Sequence, residues 1–345
     1  MSGLGGATPT PDLPSAQPRA PLVLLALGDG VDLADAVARR LGVSVVGGRE
    51  TWFASGEAKY TIEQNVRGCD CYLFTRAMAP GHPRSTNDRF MALLHAVDAA
   101  RHADAARVTV VLPYLPGSRQ DKRKHRVREG VTTGLLARMM ASAGVSMVIT
   151  VDPHNEALIG AYDPARCIPE IVSAAVPFAA FLQDQGLVCD VVASTDVGGL
   201  ELARKYAACH GRPIAALSKE RDYSRPNTVA TATVIGDVAD RSVLIVDDIV
   251  DTAGSMEAAV RALWAAGARD VVVAAVHLLL SPPGSDRLAA LRAEAASRGV
   301  RFSLAATTTV QPAYAPPDVV WFGIEPLLAR VIHSVNTRGS VRALE

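Results

Sequence analysis

Short apolar runs rich in β-branched residues alternate along this chain with stretches whose apolar positions recur every three or four residues. That alternation predicts strands followed by helices, and hence an α/β protein with buried, mainly parallel sheets. In the first half, Leu22–Leu27, Asp70–Thr75, Val108–Leu112 and Met147–Val151 read as strands, with a shorter one near Ser44–Val46. The spacing predicts helices over Asp32–Leu41 and from Thr86 through Ala99. Around Ile168–Pro177 prolines punctuate the chain and suggest a crossing between domains. The plan then repeats, with strands at Asp190–Ala193, Pro213–Leu217, Val243–Val246, Val271–His277, Phe302–Ala306 and Val319–Phe322. Its helices run from Leu200 through Ala207, from Met256 to Gly267, near Arg287–Ala296 and near Pro326–Val335. Residues 1–20 hold mostly Pro, Gly, Ser, Thr and Ala, too little apolar surface to order the segment, and read as a disordered tail.

Length and composition narrow the functional classes. With 345 residues the chain has room for two domains, 21–168 and 169–325, the C-terminal stretch 326–345 returning to the first. Lys and Arg total 35 against 35 Asp and Glu, so nothing global points to nucleic acid or an anionic membrane. No apolar run approaches a membrane span, and Pro21–Leu27 stops at Gly28-Asp29-Gly30 without the flanks of a signal peptide. Five cysteines without framework spacing suit free thiols in a reducing compartment, the cytoplasm. Cys69-Asp70-Cys71 sits in a strand-like run, where burial is a better reading than zinc.

The chemistry gathers where predicted strands end. Val243–Val246 is followed at once by Asp247 and Asp248, then by the small-residue loop Asp251-Thr252-Ala253-Gly254-Ser255 and a helix. A helix start offers unpaired N–H groups and a positive dipole end, so the loop reads as a phosphate cradle, with the acids placed for hydroxyls or a metal. The plain alternative is a strand end and a helix cap. After Val108–Leu112 comes a loop with six Lys or Arg between Arg119 and Arg128, including Arg119 and Gln120 at its start. Such a run is often a solvated face or an RNA patch; at a strand's carboxyl end a polyphosphate is the better-motivated partner. His154 follows another strand, and Asp196 with Gly198 and Gly199 follows a third, where two glycines before a helix can wrap pyrophosphate. Lys219 and Arg221 open a polar loop suited to closing over a substrate. The turn at Phe53, Ser55 and Glu57 reads first as a hairpin; an exposed aromatic beside a carboxylate also suits a purine.

Taken together, FASGE, NVRG, STNDRFMALLHAVDAAR, LPYLPGSRQDK, TVDPHNE, STDVGG, SKERDYSRP and VLIVDDIVDTAGS resemble the ribose-phosphate diphosphokinase family, in order and from about Leu22 to Val335. The resemblance implies two phosphoribosyltransferase type I-like domains with the active site between them. It implies transfer of the diphosphoryl group of MgATP to the C1 hydroxyl of ribose 5-phosphate, a step of nucleotide biosynthesis. By position, it gives Asp247 and Asp248 to the ribose hydroxyls and Asp251, Thr252, Ala253, Gly254 and Ser255 to the 5-phosphate. Phe53, Ser55, Glu57, Arg119 and Gln120 go to ATP, His154 and Asp196 to Mg²⁺, and Gly198 and Gly199 to the pyrophosphate. Lys219 and Arg221 are then the catalytic pair. A homo-oligomer, dimer to hexamer, with the adenine site at a subunit interface is also implied. Six positions depart from the family pattern: Ser55 for Asp, Pro153 for Leu, Glu220 for a basic residue, Ala253 for Gly, and Glu129 and Gly130, which alter the end of the basic loop. If position 253 requires φ > 0, alanine there is strained. The competing readings are a paralogue with another sugar phosphate or nucleotide donor, a non-catalytic regulatory subunit, and a simple phosphoribosyltransferase.

Overall fold

The computed structural model describes residues 17–76, 81–123, 127–219 and 232–342, with only the backbone of Lys219 and Ala232. Chain order is β1 (Leu22–Ala26), α1 (Val31–Leu41), the hairpin β2 (Gly48–Trp52) and β3 (Ala58–Ile62), β4 (Asp70–Phe74), α2 (Thr86–His102), β5 (Arg107–Val111), α3 (Thr132–Ala143), β6 (Met147–Val151) and β7 (Ile168–Val172). There follow α4 (Ala175–Asp184), β8 (Val191–Ser194), α5 (Leu200–His210), β9 (Ile214–Lys219), β10 (Ala232–Ile235), β11 (Ser242–Val250), α6 (Gly254–Ala265), β12 (Asp270–Leu278), α7 (Gly284–Arg298), β13 (Phe302–Thr307), β14 (Val320–Phe322) and α8 (Glu325–Asn336).

Among the described residues the strands form two larger sheets and the β2–β3 hairpin. The first sheet has the order β1-β4-β5-β6-β7 and is parallel throughout, so every connection crosses over one face. The second has the order β10-β9-β8-β11-β12-β13-β14, with β10 antiparallel to β9 and the rest parallel. Strand order reverses between β8 and β11. In an open α/β sheet that reversal leaves a crevice beyond the two carboxyl ends, because the following chain departs to opposite sides. The loop with Asp196 and the Asp251–Ala253 turn leave from those ends.

Both sheets bury apolar strand residues beneath helices, as two-sided parallel sheets require. One core cluster joins the halves: Leu24, Val37 and Val111 of the first pack with Val276 and with Leu327, Leu328, Val331 and Ile332 of α8. Asn336 at the end of α8 donates to the fully buried Asp70 at the start of β4 (2.9 Å) and to the Ala20 carbonyl (3.2 Å). The Arg19 N–H donates to the Asn336 carbonyl (2.8 Å), so residues 17–20 of the expected disordered tail lie against α8; residues 1–16 fall outside the described residues.

One segment differs from the sequence expectation. Ser44–Val46 contributes only a bridge, Leu24 to Val45, and the edge strand goes no further. β7 pairs with β6 from Ile168↔Met147 to Val172↔Val151, so the first sheet extends into the proline-punctuated stretch 168–177. Pro169 is tolerated there because β7 is an edge strand. Nor does Pro177 break the chain: it stands third in α4, in the first turn, where no intrahelical N–H bond is lost.

Candidate active site

β11 runs further than the apolar run Val243–Val246. Its ladder with β12 continues through Asp247↔Ala275, Ile249↔His277 and Val250↔Leu278, while β8 stops at Ser194↔Val246. The two acids are therefore held in a strand on one side and open to the crevice on the other. Thr195, just past β8, donates its hydroxyl to Asp247 (3.1 Å). Burial, the adjacent Asp248 and the nearby Asp196 push the Asp247 carboxyl well above its usual range. Burial also acts upward on Asp248, but the hydrogen bond and charge of His154 outweigh it and hold that carboxyl below its usual value.

The His154 partner comes from the other sheet. His154 Nδ1 lies 2.7 Å from Asp248 Oδ2, and this bond raises the imidazole pKa. Beside it, Arg119 Nη1 donates to Asp251 Oδ2 at 2.7 Å, again across the two sheets. Asn155 donates to Asp121 (2.5 Å), fastening the start of the basic loop to the end of β6, and Thr132 donates to Gln120 (2.6 Å). Arg119 and His154 thus reach the end of β11 and the turn after it from the side of the first sheet.

At the far end of β11 the chain turns through Asp251-Thr252-Ala253 into α6. Ala253 adopts φ 57°, ψ 7°, a left-handed conformation that costs a non-glycine residue about 1–2 kcal/mol. It is buried in the core beside Met256 and Leu288. Among the described residues no side chain caps the start of α6, which leaves its first N–H groups available to an anion. The β8–α5 loop approaches from the switch point. There Ser194 donates to the Asp196 carbonyl and Gly199 N–H to Asp196 Oδ1 (3.1 Å). A Cβ on Gly199 would lie 2.6 Å from Ser194 Oγ, so this turn accepts only glycine without rearranging.

The expected adenine contacts stand apart. Phe53, half exposed, lies at the hairpin tip, where its N–H and carbonyl close the turn with Glu57 and Gly56, each at 2.9 Å. Lys59 Nζ lies 5.8 Å from the ring centre, and Ser55 donates to the Glu57 carboxylate at 2.8 Å. Among the described residues no hydrogen bond or ion pair joins this tip to the β11 site. A cavity of about 490 Å³ lined by Gly28, Glu50, Trp52, Arg84 and Arg89 contains none of the site residues. Of the expected catalytic pair, Lys219 ends β9 with only its backbone described, and Arg221 lies outside the described residues, as do residues 124–126 of the basic loop.

Sequence reasoning passed over one central residue. His277, fully buried in β12, has Nε2 3.0 Å from the Val151 carbonyl and 3.2 Å from that of Asp152. Carbonyls only accept, so Nε2 carries the proton; Nδ1 then accepts from Thr309 Oγ1 at 2.9 Å. Burial pulls the His277 pKa down to about 4. This ring fastens the second sheet to the strand end that carries His154. The available signal was a lone imidazole inside an otherwise apolar run.

Two family models match in succession. Residues 22–144 match the N-terminal domain of ribose phosphate pyrophosphokinase, and residues 168–293 match the phosphoribosyl transferase domain. The chain is 35% identical to the ribose-phosphate pyrophosphokinase of Mycobacterium tuberculosis over 318 residues, 91% of this chain and 92% of that one. It is 33% identical to that of Halalkalibacterium halodurans over 324 residues, 94% and 97% of the two chains. The crystal structure of phosphoribosylpyrophosphate synthetase from Mycobacterium smegmatis superposes with a TM-score of 0.79 at 32% identity, covering 92% of this chain and all (100%) of that one. With its two α/β domains, its cleft and this match along nearly its whole length, the chain belongs to the ribose-phosphate pyrophosphokinase family.

Proposed function

We propose that this chain is an enzyme that transfers the β,γ-diphosphoryl group of ATP to the C1 hydroxyl of ribose 5-phosphate, releasing AMP and 5-phosphoribosyl 1-diphosphate. The observation that carries this is the pair of 2.7 Å bridges, Arg119–Asp251 and His154–Asp248. They join the acidic end of β11 and the turn after it to the start of the basic loop and the residues after β6, so in this reading donor and acceptor face each other there.

In this reading the α6 start takes the 5-phosphate, while Asp247 and Asp248 take ribose hydroxyls and fix the sugar ring. His154 orients Asp248 through their hydrogen bond. Arg119, on leaving Asp251, is free to hold the donor's phosphates, with Gln120 beside it. The glycine turn at Gly198 and Gly199 admits the diphosphoryl group to backbone distance. The C1 oxygen attacks the β-phosphorus in line, its proton is lost, and the bond to the α-phosphate oxygen breaks to leave AMP. Such a transfer asks for positioning and for cations against the oxygens where charge accumulates. In this reading Lys219, at the end of β9, and Arg221 supply those cations.

Asp196 would offer Mg²⁺ a carboxylate oxygen, the donor type that ion prefers, with His154 as the nitrogen donor of the proposed site. Among the described residues no group of three or more His, Cys, Asp or Glu forms a closed metal cage. Mg²⁺ needs none, since it keeps water and binds through one or two carboxylates plus substrate phosphates. When bound it supplies charge neutralisation at the phosphoryl oxygens.

Among the described residues no helix is long and apolar enough to cross a membrane. The free cysteines fit a cytoplasmic enzyme. The exposed tip carrying Phe53, Ser55 and Glu57 fits an adenine site completed by a second copy of the chain in a homo-oligomer. The deciding experiment supplies ATP and ribose 5-phosphate with Mg²⁺ and identifies the products by phosphorus NMR. AMP with 5-phosphoribosyl 1-diphosphate is expected, and Lys219→Ala should lower turnover by about two or more orders of magnitude while ribose 5-phosphate still binds. Hydrolysis of ATP without sugar diphosphate, or near-normal turnover in Lys219→Ala, would refute the assignment.

A further inference from the structure

The turn that enters α6 is held from behind by α7. Arg287 Nη1 donates to the Thr252 carbonyl at 2.9 Å, and the same nitrogen would stand 2.8 Å from a Cβ on Gly254. Its guanidinium is therefore packed against the first residue of α6. Arg287 Nε lies 3.3 Å from Glu257 in the first turn of α6, and Glu257 also pairs with Arg261 at 2.9 Å. One turn earlier, Gly284 packs so closely on the Asp251 carbonyl that a Cβ there would come within 2.6 Å. Two consecutive carbonyls of the cradle, those of Asp251 and Thr252, are thus fixed by the first turn of α7.

The residue that follows them is the strained one. Ala253 sits at φ 57°, and rotation of the Thr252–Ala253 peptide is the direct way to relieve that strain. The Arg287 bond to the Thr252 carbonyl opposes such a rotation. Among the described residues the other side-chain bond on the turn comes from Arg119 to the Asp251 carboxylate, and under the proposed function Arg119 departs to bind ATP. Arg287 belongs to the same domain as the cradle and is braced by Glu257, so it stays.

We propose that Arg287 is a positioning residue for the sugar 5-phosphate: by pinning the Thr252 carbonyl it keeps Ala253 left-handed and the N–H groups at the α6 start convergent on one anion. This rests on the proposed function for the identity of the ligand, and on the turn geometry for the role of Arg287.

Steady-state kinetics and calorimetry with ribose 5-phosphate test it together. Arg287→Met should raise KM for ribose 5-phosphate about tenfold, the loss of one charge-assisted hydrogen bond, and leave KM for ATP within about twofold. In the double variant Ala253→Gly with Arg287→Met, most of the lost affinity should return, since glycine holds φ > 0 without support. A general loss of structure would raise both KM values together and would not respond to glycine. Either of those results overturns the proposal. If Arg287→Met fails to fold, Arg287→Lys, which keeps the charge but not the planar fork, serves in its place with the same glycine rescue. Should the wild-type chain bind ribose 5-phosphate in the calorimeter yet release no AMP, the proposed reaction fails, and the same titrations on the variants still decide the role of Arg287.

Discussion

Replacing His277 by Gln isolates the contact that fastens the two sheets. In the native chain the buried imidazole is neutral: its protonated Nε2 serves two carbonyls of the first sheet and its Nδ1 accepts from Thr309. The edge of the ring lies against Tyr114, with centroids 5.0 Å apart, and the Asp248 charge acts on it from β11. A second proton on Nδ1 has to be accommodated in a site closed to water, which is why the pKa falls from 6.5 to about 4. A depressed folded pKa means that the unfolded chain takes up the proton first as pH falls. The stabilisation is complete above about pH 6.5 and is lost as pH drops towards 4. At about 1.4 kcal/mol per pH unit, that window is worth about 3 kcal/mol. The neighbouring Asp152 works in the opposite sense: burial lifts its carboxyl to about 6, so it weakens the fold as pH rises from 3.8 to 6. Both proteins carry Asp152, so the difference between them isolates His277. Thermal unfolding of wild type and His277→Gln between pH 7.5 and 4.5 should show a gap that is widest at the top of the range. It should close on acidification by roughly 4 °C. Unfolding curves that run parallel across the range would refute the neutral, buried imidazole.

Two further perturbations probe the cleft. Gly199→Ala should cost about 1–3 kcal/mol of stability and depress turnover further, because the new Cβ meets Ser194 Oγ at 2.6 Å; thermal shift and the AMP assay measure both, and unchanged values would show that the turn yields freely. Arg119→Met removes a half-exposed ion pair with Asp251, worth less than about 1 kcal/mol to the fold. In exchange KM for ATP should rise about tenfold or more, and an unchanged KM would remove Arg119 from the donor site.

The parts of the site that were legible in the sequence are those written in consecutive residues. Asp247 to Ser255 is one uninterrupted stretch, and its reading as strand, acids, small loop and helix needed only local rules. The structure moves the acids into the strand because β12, a tertiary partner, extends the ladder. The consequence of Ala253 was also readable in conditional form, and the structure supplies the condition, φ 57°. Other features depended on partners far away in the chain: Arg119 and Asp251 are 132 residues apart, His277 and Val151 126. For the ion pairs the sequence still held a clue, since each partner is a charged side chain with a chemical signature. For His277 and Arg287 it held almost none. Both act by donating to main-chain carbonyls, of Val151 and Asp152 in one case and Thr252 in the other, and every residue carries a carbonyl. Such an acceptor places no demand on side-chain identity at its own position. The positioning side chain is then the only half of the pair that the sequence marks, and a lone His in an apolar strand or an Arg in a helical first turn has many ordinary explanations. The residues that shape this cleft without touching its substrates therefore become identifiable only when the fold shows which backbone they hold.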